Sequence, residues 1–239
     1  MVDSDTSRTV VGIIGNIISL FLFLSPLPTF IKIWKCKSVQ GFKPDPYVAT
    51  VLNCAMWVFY GLPIVHPDSL LVFTINGIGF VIEIAYIIIF FLFSNWAMRK
   101  KITVALIVEL LFLLIVVFIT LTFLHGHKDR SMLIGILCII FNIIMYTSPL
   151  TVMRRVINTK SVKYMPFFLS LANFSNGLIW FSYAIIKFDP YVMVPNGLGT
   201  LSGLVQLVLY ATYYKTTNWD EDENWTEIEL PTANSSGHV

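Results

Sequence analysis

SPLPTFIKIWKCKSV (residues 25–39) returns as SPLTVMRRVINTKSV (residues 148–162). At a fixed offset of 123, Ser25 coincides with Ser148, Pro26 with Pro149, Leu27 with Leu150, Lys37 with Lys160, Ser38 with Ser161 and Val39 with Val162. Further along, TINGIG (Thr74–Gly79) returns as VPNGLG (Val194–Gly199). One structural unit is written twice, and such internal repetition governs the whole architecture.

The unit is built for lipid. Of 239 residues, 13% are charged and 56% hydrophobic, with a mean hydropathy of +0.75. A soluble domain carries about twice that charge. The apolar residues come in blocks of roughly 17–25, enough for a helix to cross a bilayer. Seven blocks are read, at about 10–31, 46–63, 70–93, 102–124, 132–153, 164–186 and 190–214. The first lacks a basic leader and a small-residue cleavage site, and its copy at 132–153 is internal, so it reads as a mature helix.

Basic residues set the orientation. The first, third and fifth connections, with Lys215, hold 12 of the 16 Lys and Arg residues. Arg8, Lys128, Arg130 and Lys187 make up the other side. The N-terminus is therefore expected outside and the C-terminus in the cytosol. The net charge of +2 marks topology, not a nucleic-acid surface. Cys36, Cys54 and Cys138 are odd in number and lie at membrane or cytosolic depth, so no disulfide framework is expected.

The expected fold is an all-α membrane protein of seven transmembrane helices. After an extracellular segment at 1–9, one three-helix repeat spans 10–93 and the other 132–214. The helix at 102–124 has no counterpart. A three-helix unit ends on the side opposite its start, so a second copy joined directly would be inverted. One extra crossing makes the two bundles parallel. Two-repeat chains of this kind place their solute between the repeats. Residues 215–239 are polar and acidic, with Asp220, Glu221, Asp222, Glu223, Glu227 and Glu229, and disorder is expected from Thr216 onward.

Register within the repeat is ambiguous. Offset 123 pairs Asn53 with Asn176, Trp57 with Trp180 and Tyr60 with Tyr183; offset 120 pairs Pro46 with Pro166, Asn53 with Asn173 and Asn76 with Asn196. The slip of three is close to one helical turn.

The repeated polar and aromatic residues are the candidate site. Trp57, Asn76, Trp180 and Asn196 fall at one depth, roughly 9 Å below the outer surface of the hydrocarbon. Asn53 and Asn176 lie one turn deeper on the tryptophan faces. An amide is costly against lipid and belongs in the bundle interior. Its two donors and one acceptor suit a polyhydroxylated ligand, and indole packs on the C–H face of a pyranose. The alternative is that each Asn bonds between helices and each Trp anchors at the interface. Pro26, Pro46, Pro149 and Pro166 gather at the inner level, where they would form a hinge and inner gate. Pro46 and Pro166 also fit ordinary helix starts. Within the spans the ionisable residues are Glu83, for which a bond to a neighbouring helix is favoured over a place along the path, and Glu109 on the linker. Neither recurs in the other half, so facilitated diffusion without ion coupling is expected. No nucleophile set, metal cluster or phosphate loop has usable spacing; no enzyme activity, cofactor or metal is expected.

The stretches GNIISLFLFLSPLPTF, KSVQGFKPDPY, LNCAMWVFYGLP, TINGIG, MYTSPLTVMRRVINTKSVKYMPFF and VPNGLGTLSGLVQLVLY together resemble the plant SWEET sugar transporters, over roughly residues 8–215. The resemblance implies two parallel three-helix bundles, passive movement of mono- or disaccharides, and homo-oligomers in a lipid membrane. It implies pocket asparagines at Asn76 and Asn196, a pocket aromatic at Trp180, and helix-two pocket positions at Asn53 and Trp57. It implies a proline tetrad at Pro26, Pro46, Pro149 and Pro166, and an outer gate at Tyr60 and Asp189. LNCAMWVFYGLP and VKYMPFFLSLANF look most like the hexose group of the plasma membrane. The expectation is a glucose uniporter working by alternating access. The alternatives are a sucrose carrier of the same family, a seven-helix receptor, and a carrier of another small solute.

Overall fold

A computed structural model describes residues 3–219, and among them every regular element is an α-helix. There are nine helical segments where seven were expected: α1 (Ser4–Leu24), α2 (Leu27–Cys36), α3 (Asp45–Tyr60), α4 (Leu70–Phe93), α5 (Trp96–Phe123), α6 (His127–Met145), α7 (Thr147–Thr159), α8 (Phe167–Ile186) and α9 (Pro190–Tyr213). The surplus comes from two breaks. α1 with α2 and α6 with α7 are single spans of 33 residues, Ser4–Cys36 and His127–Thr159. The expected ends at 31 and 153 are therefore too short, because the apolar run stops before the helix does. Basic residues such as Lys32, Lys35, Arg154 and Arg155 continue the helices beyond it.

A proline lies at the first break and just past the second. Pro26 caps α2, and its ring excludes the regular bond to the Leu22 carbonyl. Ser25 satisfies that carbonyl through its hydroxyl at 2.7 Å. In the second copy the helix breaks at Tyr146, and Pro149 falls in the first turn of α7, where a missing N–H costs nothing. Both half-helices end on a lysine in the left-handed region, Lys37 and Lys160, each at φ 53°.

α1–α4 form bundle one and α6–α9 form bundle two, with α5 between them. α2 packs on α4 and α7 on α9, each inside its own bundle. α1 and α6 are shared: α1 packs on α4 and also on α8, and α6 on α9 and also on α3. One core cluster joins the bundles at the end that carries Tyr60, Val65, Tyr183 and Val192. The opposite end, with the four prolines, has separate clusters in each bundle.

The tail begins later than expected. Thr216 donates to the Lys160 carbonyl at 2.7 Å, and the buried Thr217 hydroxyl accepts from the Val162 N–H at 2.9 Å. These bonds fasten the chain to the α7–α8 connection through Thr217. The acidic residues from Asp220 on lie outside the described residues.

Candidate functional site

A cavity of about 420 Å³ lies between the bundles, and Asn53, Trp57, Asn76, Asn176, Trp180 and Asn196 all line it. Hydrogen bonds give the cavity a two-fold pattern. Asn76 donates to the Val72 carbonyl at 2.9 Å and Asn196 to the Val192 carbonyl at 2.8 Å. Each therefore fixes its rotamer with one N–H and turns its oxygen and second N–H to the lumen. Asn142 donates to the Asn53 oxygen at 3.3 Å, and Ser19 donates to the Asn176 oxygen at 2.6 Å. Ser19 and Asn142 are themselves 123 residues apart. The Trp180 indole N–H donates to Ser19 at 2.9 Å, so that ring is held as well.

These bonds locate the register slip. Offset 123 governs α1 with α6 and α3 with α8; offset 120 governs α4 with α9. The three extra residues fall in the 61–69 connection. The last glycine of each TINGIG-type motif has a steric role. A Cβ on Gly79 would stand 2.4 Å from the Phe23 ring, and one on Gly199 would stand 2.5 Å from the Tyr146 hydroxyl. Phe23 and Tyr146 are again 123 apart.

Ser19, Phe23 and Asn142 line the cavity and Tyr146 stands against Gly199 beside it, and sequence reading missed all four. The signal was their shared offset. Glu83 requires a correction: among the described residues it has no hydrogen bond to a neighbouring helix. It lines the cavity two turns below Asn76, 4% exposed, with Oε2 buried and unpartnered. Seven residues along a helix return a side chain to nearly the same face, so Glu83 follows Asn76 into the lumen.

The Tyr60 end is shut. Tyr60 donates to Asp189 Oδ1 at 2.8 Å, and both side chains are buried. The same oxygen caps α9 by accepting from the Tyr191 and Val192 N–H groups. In the mirrored contact Tyr183 donates to the Asp68 carbonyl at 3.4 Å, with Arg8 stacked 4.3 Å from its ring. Lys187 pairs with Asp5 at 2.5 Å and lies 3.6 Å from Asp68, and the bond to Asp5 raises its pKa.

His66 stacks on Tyr60 at 4.7 Å and sets Nε2 3.4 Å from Asp189 Oδ2. The Ser131 hydroxyl proton goes to the Val65 carbonyl, so Nδ1–H donates to Ser131 at 2.9 Å. Burial lowers the His66 pKa; Asp189 and Asp68 oppose that shift, while Arg8 and His127 reinforce it. A group that binds protons more weakly when enclosed than when exposed favours exposure in acid. Lowering the pH below the ordinary histidine value of 6.5 is thus expected to loosen this end. The rate of thiol modification in Cys36→Ser/Ser69→Cys protein should rise relative to the same chain carrying His66→Gln, whose profile should lack the step.

At the other end, Pro26 and Pro149 are half-buried, and Pro46 and Pro166 are exposed. Pro46 is the second residue of α3 and Pro166 the N-cap of α8. Ten helical residues follow both Pro26 and Pro149. The tetrad thus places two residues at helix breaks and two at helix starts.

Two parallel bundles that close one end over a chamber of amides and indoles, with no basic residue in its lining, define a membrane transporter of small polar solutes. The family model described as "Sugar efflux transporter for intercellular exchange" matches residues 9–98 and 132–218, one match per repeat. The chain is 65% identical over 233 residues to the bidirectional sugar transporter SWEET5 of Arabidopsis thaliana, covering 98% of this chain and 97% of that protein. It is 58% identical over 233 residues to SWEET7b of Oryza sativa subsp. japonica, covering 98% and 87%. A solved structure of a eukaryotic SWEET transporter superposes with a TM-score of 0.85 at 38% identity, over 89% of this chain and 99% of that one. The chain belongs to the SWEET family of plant sugar transporters. It is a transporter and not an enzyme.

Proposed function

We propose that the chain is a hexose uniporter, with glucose as its main substrate, working by alternating access at the plasma membrane. The observation that carries this reading is the cavity lining. Six asparagines and two indoles line it, with Glu83 as its one acid, and among the described residues no lysine, arginine or histidine does. An anionic solute would lack a partner there, whereas a neutral ring of hydroxyls matches amides above and below its edges and indoles on its faces. Its volume of about 420 Å³ falls toward the small end for ligand sites. Asparagine at positions 53 and 176 narrows it further than serine would. That favours a monosaccharide over sucrose.

In this reading the Tyr60 end faces outside and the proline end the cytosol, in line with the basic residues near the prolines. The shut Tyr60–Asp189 contact then belongs to an inward-facing form. Sugar entry from outside requires that contact to part, while Pro26 and Pro149 let α2 and α7 swing to close the cytosolic end. The exposed apolar face of α5, with Leu110, Leu111, Leu114, Ile115 and Phe118, meets lipid or a second copy in a homo-oligomer.

The test is uptake of labelled sugar into proteoliposomes. Glucose uptake is expected to exceed sucrose uptake and to be the same with and without a pH gradient. Glu83→Gln, which keeps the shape and hydrogen-bonding capacity of an uncharged acid, is expected to retain uptake within about twofold. A gradient requirement that disappears with Glu83→Gln would replace uniport by proton coupling. Sucrose preference would overturn the monosaccharide assignment.

A further inference from the structure

Bundle two contains a second cavity, of about 390 Å³, whose lining residues all fall between Met145 and Gln206. It opens between α7, α8 and α9 and adjoins the central cavity along Asn173, Asn176 and Asn196, which line both. Its origin is visible in the repeat. At the matching place in bundle one, Phe30 stacks on Tyr86 at 4.2 Å and meets Tyr47 edge-on at 4.8 Å. The equivalent residues of bundle two are Met153, Gln206 and Ser170. Met153 packs into an apolar cluster with Val156, Val162 and Met165, but Ser170 and Gln206, which stand where bundle one has the Tyr47 and Tyr86 rings, line the chamber and leave ring volume unfilled.

The chamber walls are polar and uncharged. The Ser170 hydroxyl lies 3.2 Å from both Gln206 Oε1 and the Pro166 carbonyl and shares its one proton between them, and Gln206 Nε2 donates to Ser202 at 3.4 Å; among the described residues the second amide N–H and the Ser202 proton find no acceptor. The Tyr146 hydroxyl has given its proton to the Pro195 carbonyl at 2.7 Å and remains an acceptor. Asn173, at the opening, makes no hydrogen bond among the described residues, so its two donors and its acceptor are available. Amides and hydroxyls in a membrane interior are costly unless they meet a polar partner. No charged residue lines the chamber.

We propose that this chamber is a second binding site for a neutral polyhydroxylated solute, lying beside the central cavity and reached past Asn173. It deepens the transport reading, because the chamber takes the same solute class as the central cavity. A sugar leaving the Asn76–Asn196 level steps sideways into bundle two, and a second sugar enters the central cavity before the first has gone. The stepping stone is one-sided, because rings fill its place in bundle one.

The test uses the purified full chain in detergent with Cys36→Ser, since Cys54 and Cys138 are buried. Ser202→Cys reports on the chamber and Thr50→Cys on the central cavity. The readout is the rate of modification by a membrane-impermeant methanethiosulfonate, with glucose or with betaine at equal osmolality. Glucose at roughly ten times its Kd is expected to slow Ser202→Cys modification about tenfold, by simple occupancy, while betaine does not. The protection should persist when Asn76→Ala is added, which removes it at Thr50→Cys. Gln206→Tyr, which restores a ring from bundle one, should slow Ser202→Cys modification without sugar and abolish any further effect of glucose. If Thr50→Cys is protected and Ser202→Cys is not, the chamber proposal falls and the central site stands. If Ser202→Cys is protected only while Asn76 is intact, sugar in the central cavity merely blocks the opening, and the proposal also falls. If neither is protected, the sugar site itself is misassigned and the chamber goes with it. Val152→Cys, also in the chamber wall, takes the place of Ser202→Cys should that variant fail to fold.

Discussion

Asn196→Ala is expected to abolish measurable sugar uptake while leaving the amount of folded protein in the membrane unchanged, and Asn76→Ala to do the same. Each asparagine contributes little to the fold. Its one internal bond goes to a carbonyl of its own helix, four residues back, and that carbonyl keeps its regular helical position without the side chain. What the substitution removes is an oxygen and an N–H at the lumen. A sugar hydroxyl that leaves water and meets a methyl group instead of an amide loses about 1–3 kcal/mol per unsatisfied group. With two such groups per asparagine the loss is roughly 30-fold or more in the rate at low sugar. Leucine at either position should be no better than alanine, which separates lost hydrogen bonding from lost volume. Uptake near the parental level in Asn76→Ala or Asn196→Ala, at matched protein density, would remove these residues from the pocket.

Asp189→Ala should have the second largest effect, and it should appear in stability as well as transport. Its Oδ1 accepts from Tyr60 at 2.8 Å and from the N–H groups of Tyr191 and Val192 at 3.1 and 3.2 Å. Loss of an N-cap costs about 0.5–2 kcal/mol, and Tyr60, wholly buried, would keep a hydroxyl without an acceptor. The Tyr60 end then loses its closing bond, and a carrier that cannot close one end cannot cycle. Asp189→Asn retains an oxygen for the cap and for Tyr60, and its new N–H can donate to His66 Nε2, which lies 3.4 Å from Oδ2. Uptake and thermal unfolding of the two variants should therefore diverge: alanine loses both, and asparagine keeps most of the stability. Equal loss of stability in the two would show that the carboxylate charge, not the cap, holds this end together.

Much of this was legible in the sequence because repetition doubles every signal. A lone Asn76 has several uses, but Asn76 with Asn196, Trp57 with Trp180 and Tyr60 with Tyr183 point to one axis. The rest was hidden for physical reasons. Ser19 reaches its partner Asn176 across 157 residues, and a small polar side chain in an apolar helix leaves no periodic trace. The register slip was invisible because a shift of three nearly preserves helical facing, so both offsets satisfied α3 and α4. The two long spans were cut short because hydropathy measures lipid contact and not helix length. Glu83 was expected to bond a neighbouring helix because burial and direction cannot be separated from one sequence.

The shared packing of α1 and α6 has a mechanical meaning. In each kinked rod the first segment is gripped by the opposite bundle, through Ser19 on Asn176 or Asn142 on Asn53, while the second segment is riveted to its own. The rivets are Lys37 over Trp34 and Phe93, and Lys160 over Tyr213. Such a rod is a lever with its fulcrum at the break beside Pro26 or Tyr146. In the proposed transport cycle, two levers crossing between the same pair of bundles would act like scissors: drawing the handles together at the Tyr60 end would spread the blades at the proline end.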